Sequence, residues 1–76
     1  MTTVDITYCV PCGHLDRAQD LQHQILSTYG QELDAVSLVT GDSGVFTVHA
    51  DGDLLFDTAE DEYDPDAIVA QVRDRL

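Results

Sequence analysis

The stretch "YCVPCGHLD", Tyr8 to Asp16, decides how this chain is read. It holds both cysteines of the sequence, Cys9 and Cys12, three positions apart, where one hydrophobic period gives way to another. Upstream, "TTVDITYC" (Thr2–Cys9) is short and β-branched and puts Val4, Ile6 and Tyr8 on one face, the pattern of a strand. Downstream, Leu15, Ala18, Leu21, Gln22, Ile25, Leu26 and Tyr29 recur at helical spacing, and Gly30 follows as a C-terminal stop. The cysteines therefore sit between a first strand and a first helix.

The remaining chain extends that unit. "LDAVSLVT" (Leu33–Thr40) has the length and composition of a second strand and ends in the turn-rich "GDSG" of Gly41–Gly44. "VFTVHA" (Val45–Ala50) and "DLLFDT" (Asp53–Thr58) flank Asp51 and Gly52, a pair suited to the positive φ angles of a tight hairpin. Asp64 is a good N-cap, and Pro65 stands at the first helical position, where its missing N–H costs nothing. The last helix is expected to run to the end, with Ile68, Val69, Val72 and Leu76 as its apolar face and Arg73 and Arg75 near the negative end of its dipole. The expected fold is α/β (α+β) in the order β-α-β-β-β-α: a mixed four-stranded sheet covered by both helices, in a single domain over residues 1–76.

At 76 residues only roughly 60% of the unfolded surface can be buried, so the core is thin. The charge is extreme for that size: 15 acidic residues stand against Arg17, Arg73 and Arg75, with no lysine, for a formal net charge of −12. Nucleic acid is not expected as a partner on that ground. The acids run from Asp5 to Asp74 and are densest in "DTAEDEYDPD" (Asp57–Asp66), which reads as a solvated acidic surface of the kind found in halophilic proteins. No apolar run approaches a membrane span and no secretory leader pattern is visible, so a cytoplasmic protein without membrane association is expected.

C-x-x-C at a strand-to-helix turn in a small α/β chain is the setting of a thioredoxin-like redox motif. Backbone N–H groups at a helix start stabilise a thiolate, the attacking species in disulfide exchange. Pro11 fits the first helical turn and stiffens the loop between the sulfurs, and His14, as an imidazolium, would act as a modulator of the thiol pKa. Two other readings stand beside this one. The cysteines could be small buried apolar residues, although Pro11 and Gly13 beside them suit a loop better than a core. They could also be half of a zinc site completed by His14 and His49, although no second C-x-x-C is present. His23 lies among polar helix residues, and His49 alternates with Val48 on the solvent side of a strand. "GDSG" has the letters of a serine-protease nucleophile loop, but the chain is far too short for that fold and the stretch reads as a turn.

With these pieces in order, the chain resembles the selenoprotein W-like (Rdx) family of small thioredoxin-like proteins. The resemblance rests on "YCVPCG" (Tyr8–Gly13), the helix after it, "GVFTV" (Gly44–Val48) and "DGDLLFD" (Asp51–Asp57), and it covers nearly the whole length. It implies a thioredoxin-like fold and a thiol-dependent redox role, with Cys12 at the position where animal members carry selenium. Acids replace the lysine-rich positions of those members, so their electrostatic partners do not carry over. No proline precedes the third strand, which sets the chain apart from thioredoxin itself.

The sequence thus points to a thiol-disulfide oxidoreductase with Cys9 and Cys12 as the redox pair and His14 as modulator, acting on protein or low-molecular-weight thiols and disulfides without a cofactor or metal. A small zinc-binding protein and a redox-switched interaction module are the alternatives. Thioredoxin logic makes Cys9 the attacking sulfur; the family resemblance favours Cys12, and the reading leans to Cys12. One expectation concerns stability alone. A core of this size supplies about 3 to 5 kcal/mol, too little to absorb strong carboxylate repulsion. Circular dichroism from molar down to millimolar salt is expected to show a large drop in melting temperature or loss of structure. A constant melting temperature would contradict the charge reading.

Overall fold

In the computed structural model, which describes residues 2–76, the first strand is the centre of the molecule. β1 (Thr2–Cys9) pairs in parallel with β2 (Leu33–Gly41) and antiparallel with β3 (Phe46–Ala50). β4 (Asp53–Asp57) adds antiparallel to β3, giving the sheet order β2-β1-β3-β4. A parallel neighbour cannot be reached by a tight turn, and α1 (Leu15–Tyr29) supplies the crossover between β1 and β2.

Alternation in the strands decides which face is covered. Val4, Ile6 and Tyr8 of β1 face the core together with Phe46, Val48 and Ala50 of β3, while Thr3, Asp5, Thr7, Thr47 and His49 point the other way and are only half-buried. Both helices lie on the core side, in contact with one another. Tyr29 Oη donates to the Val69 carbonyl at 2.5 Å, and Gln24 Nε2 donates to Asp66 Oδ1 at 3.3 Å. The helices therefore cover one face of the sheet and leave the other to solvent.

In α1, Ala18, Leu21 and Ile25 are fully buried against the sheet, and Gly30 ends the helix at φ 42° with its N–H on the Leu26 carbonyl. Leu15 and Leu26, expected on the same apolar face, lie on its margin and are about two-fifths exposed. A single 3-10 turn, Gly30–Glu32, leads into β2. The Asp51–Gly52 hairpin has the expected positive φ angles, 51° and 87°, and is tied to β1 by Thr3 N–H donating to Asp51 Oδ1 at 3.0 Å. A register shift between Val48 and His49 inserts Leu55 as an extra residue of β4, so that both Leu55 and Phe56 are buried.

α2 (Pro65–Arg73) begins as the sequence requires: Asp64 caps it by accepting from Ala67 N–H at 3.3 Å, and Pro65 follows. Ile68 and Val72 are buried. The helix stops at Arg73 instead of continuing, so Leu76 lies beyond its apolar face and is about half exposed. The terminal residues are held across the molecule, through Arg75 to Asp53 and through Thr2 Oγ1 to the Arg75 carbonyl at 3.0 Å. No helix among the described residues is long and apolar enough to cross a membrane.

Strand directions bring the C-terminal ends of β1, β2 and β4, the start of β3 and the N-termini of both helices to one end of the sheet. Thr58 N–H donates to the Phe46 carbonyl at 3.0 Å, which brings the acidic loop after β4 to that end as well. The Asp64 cap gives a test of this architecture. Asp64→Ala is expected to cost about 1 kcal/mol relative to Asp64→Asn, which removes the same charge but keeps an acceptor. That is a difference of about 4 to 8 °C in melting temperature for a domain of this size. Equal melting temperatures would mean that the cap contributes nothing.

Candidate redox site

Cys9 is the last residue of β1, opposite Gly41 of β2, and it is fully buried. Cys12 is exposed, and the two are joined by a disulfide across a Cα separation of 5.3 Å. The chain makes this bridge by turning before the helix begins. Val10 N–H continues the β1–β2 pairing by donating to the Gly41 carbonyl at 3.2 Å. Gly13 N–H then donates to the Val10 carbonyl at 3.2 Å, which closes a four-residue β-turn with Pro11 at its second position and Cys12 at its third. Gly13 leaves that turn at φ 77°, a conformation that residues with a Cβ rarely adopt.

Pro11 and Cys12 are therefore in a β-turn and outside the first helical turn, where the sequence reading placed Pro11. Proline suits either place, because its fixed φ matches the second turn position as well as a helix start. α1 begins only at Leu15, with His14 as an N-cap that makes no side-chain hydrogen bond. The thioredoxin arrangement, with the second cysteine tucked into the helix, does not occur here: the first cysteine is the hidden one.

Gly41 shows how closely the neighbouring loop approaches. A Cβ there would lie 2.7 Å from Val45 Cγ1 and 3.3 Å from Thr7 Cγ2. The "GDSG" stretch is a turn, closed by Val45 N–H donating to the Asp42 carbonyl at 3.2 Å.

Next to the disulfide, aromatic rings from distant parts of the chain meet. Phe46 is fully buried opposite Tyr8, and the His14 ring packs edge-on against it at 5.8 Å. Tyr63 packs on Phe46 at 5.5 Å and on Phe56 at 5.8 Å. The Arg17 guanidinium carbon lies 4.9 Å from the Tyr63 ring centroid and 5.9 Å from that of Phe46. Burial pushes the Tyr63 phenol above its ordinary pKa, while nearby Arg17 pulls it down and Asp20 adds to the rise.

Of the residues expected at the site, Cys9, Cys12 and His14 are at this end of the sheet. His49 is not: it pairs with Asp5, four residues down β1 from Cys9, about 13 Å at the usual strand rise. The four donors of the zinc reading are thus not brought together, and no other group of three or more ligating side chains converges among the described residues. His23 is exposed on α1 and lies 3.3 Å from Ser27 Oγ. The sequence reading missed Arg17, Phe46 and Tyr63. Arg17 could have been noticed as the only cation before Arg73 in so acidic a chain.

A central strand that ends in a disulfide-linked C-x-x-C turn, in a mixed four-stranded sheet with two helices on one face, defines a thioredoxin-like α+β protein. Within that class the chain belongs to the Rdx family, whose model matches residues 3–74. It is similar to a Bordetella parapertussis protein of known crystal structure, at 35% identity over 99% of this chain and 98% of the other, with a TM-score of 0.93. A selenoprotein W-related protein from Vibrio cholerae shares the fold, with a TM-score of 0.90 at 22% identity over 97% and 95% of the two chains. No curated protein matches the chain. The resemblance read from the motifs is therefore a family relationship, and the chain is a thiol-redox-related protein of that family with an oxidised C-x-x-C pair.

Tyr63 carries a pH test of the aromatic cluster. Because its folded-state pKa is raised, its contribution to stability is complete below the ordinary tyrosine range, about pH 10, and is lost as pH rises through the elevated value. The melting temperature of the oxidised protein is expected to fall over that interval, and Tyr63→Phe is expected to flatten the fall. Equal slopes would show that the phenol titrates alike in the folded and unfolded chain.

Proposed function

We propose that this protein is a thiol-disulfide oxidoreductase in which Cys12 exchanges with substrate and Cys9 resolves the intermediate. The observation that carries this reading is the asymmetry of the pair: Cys12 is exposed and Cys9 has no accessible surface. Exchange requires an incoming sulfur to approach along the line of the bond being broken, so only the exposed partner can meet a substrate. In the reducing direction the Cys12 thiolate attacks one sulfur of a substrate disulfide, forming a mixed disulfide and releasing one substrate thiolate, which takes up a proton. The Cys9 thiol then loses its proton and attacks Cys12 Sγ, which re-forms the intramolecular disulfide and frees the second substrate thiol. Two electrons pass from the cysteine pair to the substrate, and a dithiol reductant of the cell returns them.

The β-turn supports this chemistry because it holds the sulfurs of Cys9 and Cys12 within bonding reach on a short, proline-stiffened segment. His14, which follows the turn as the N-cap of α1, remains the proposed modulator of the exposed thiol. Substrates are disulfides borne by proteins or small molecules, in the reducing compartment where such exchange is useful, the cytoplasm.

Single substitutions test the division of labour. Cys9→Ser is expected to accumulate mixed disulfides through Cys12, detected by intact mass, whereas Cys12→Ser should react slowly because the remaining sulfur is buried. The reverse pattern would assign attack to Cys9, and equally slow reaction of both would make the disulfide structural. In the wild type, a redox titration should give one intramolecular couple at about −270 to −200 mV, between thioredoxin and the glutaredoxins.

A further inference from the structure

The three cations of this chain are placed very differently. Arg75 is ion-paired with Asp53 at the end of the sheet away from the cysteines, and Arg73 closes the last turn of α2. Arg17 stands in the first turn of α1, five residues beyond Cys12, at the end of the sheet that carries the disulfide. It has carboxylates close by in sequence, Asp16 beside it and Asp20 three residues on, and Tyr63 under it ends the acidic loop. Yet among the described residues Arg17 makes neither a salt bridge nor a side-chain hydrogen bond. Its charge rests on aromatic faces instead, those of Tyr63 and Phe46.

A cation–π contact of this kind attracts the guanidinium to the ring faces without using its N–H donors as hydrogen-bond partners. An exposed arginine held in place by rings, with its fork of donors open, is prepared to take a carboxylate from outside. The start of α1 adds to the effect. His14 contributes no side-chain cap, and the first hydrogen bond into the helix, from Ala18 N–H to the His14 carbonyl, leaves the N–H groups of Leu15, Asp16 and Arg17 without backbone partners. Asp16 offsets part of that positive field, but its exposed carboxylate makes no hydrogen bond to Arg17.

We infer that Arg17 is the specificity-determining cation of the site, receiving a carboxylate carried next to the substrate's disulfide, so that the protein acts on anionic disulfides. This rests on the oxidoreductase reading and names its substrate class. Elsewhere the surface repels anions. At molar salt the Debye length is about 3 Å, so the distant acids are screened while a direct guanidinium–carboxylate contact persists.

The test compares three small disulfides that differ in charge: dithiodipropionate (anionic), hydroxyethyl disulfide (neutral) and cystamine (cationic). Each is reacted with the reduced protein at molar salt. The wild type is expected to react faster with dithiodipropionate than with cystamine, against its overall charge. In Arg17→Met the ratio of the anionic to the neutral rate should fall about tenfold, the scale of one charge-assisted hydrogen bond. Arg17→Lys, which keeps the charge without the planar fork, should recover part of the ratio. A wild-type preference for cystamine, or an unchanged ratio in Arg17→Met, overturns the assignment. If the methionine variant does not fold, competition in the native chain decides: glutarate should slow the reaction with dithiodipropionate, and failure to do so overturns the inference.

A peptide disulfide with glutamate next to its cysteine separates the two sources of carboxylate. A drop in ratio for the peptide as well as the small probe extends the class to protein substrates, and a drop for the small probe alone restricts it to small molecules. No reaction of the wild type even with hydroxyethyl disulfide would overturn the oxidoreductase reading itself, and the specificity of Arg17 with it.

Discussion

Cys9 is hidden because it ends an interior strand, paired with β2 along its whole length and with β3 from Val4 to Tyr8. β1 has β2 along one edge and β3 along the other, and its inward side chains are covered by α1. A sulfur at the end of such a strand has little freedom. Everything after it must turn at once, because α1 has to fall back over the face that Val4, Ile6 and Tyr8 present. The Val10–Gly13 β-turn is that reversal, and it carries Cys12 outward while keeping it within reach of Cys9. The chemical inequality of two neighbouring cysteines thus follows from the position of a strand in a sheet.

The same end of the sheet collects features that no single segment suggests. Three loops and two helix starts meet there, and the densest run of acids leaves β4 directly beside Phe46. Aromatic packing tolerates this because Tyr63 turns its ring inward onto Phe46 and Phe56, leaving the acids around it in water. Arg17 closes the cluster from above. Edge-to-face ring pairs are worth about 0.5 to 1.5 kcal/mol beyond their buried area. In a core this small, such pairs are a sizeable share of what anchors the acidic loop to the sheet.

Charge and packing are divided between the faces of the molecule. Among the described residues, every buried side-chain N or O atom has a hydrogen-bond partner, and the acids occupy loops, helix exteriors and the open face of the sheet. The repulsion of a net charge of −12 is therefore long-ranged and screenable, with no carboxylate trapped in the core. Proximity of the disulfide end to so many acids also gives weight to Arg17, which makes no ion pair among the described residues.

Much of the architecture was legible in the order of residues because it depends on local physics. The alternation in Thr2–Cys9, the helical spacing from Leu15 to Tyr29, the stop at Gly30, the Asp51–Gly52 hairpin and the Asp64–Pro65 start are all decided within a few residues, and all occur as read. The C-x-x-C motif likewise announced a disulfide-capable turn. Other properties needed the third dimension. Which face both helices would share, and that α2 would stop at Arg73 and leave Leu76 outside the core, depend on packing across the sheet. The cluster of Arg17, Phe46 and Tyr63 joins residues up to 46 positions apart, so no window of sequence contains it. His49 stands apart from the cysteines because register sets it opposite Asp5. The sequence put two cysteines within reach of one another; only the interior placement of β1, whose end is paired with Gly41 of β2 and buried, decided that Cys12 and not Cys9 would face the solvent.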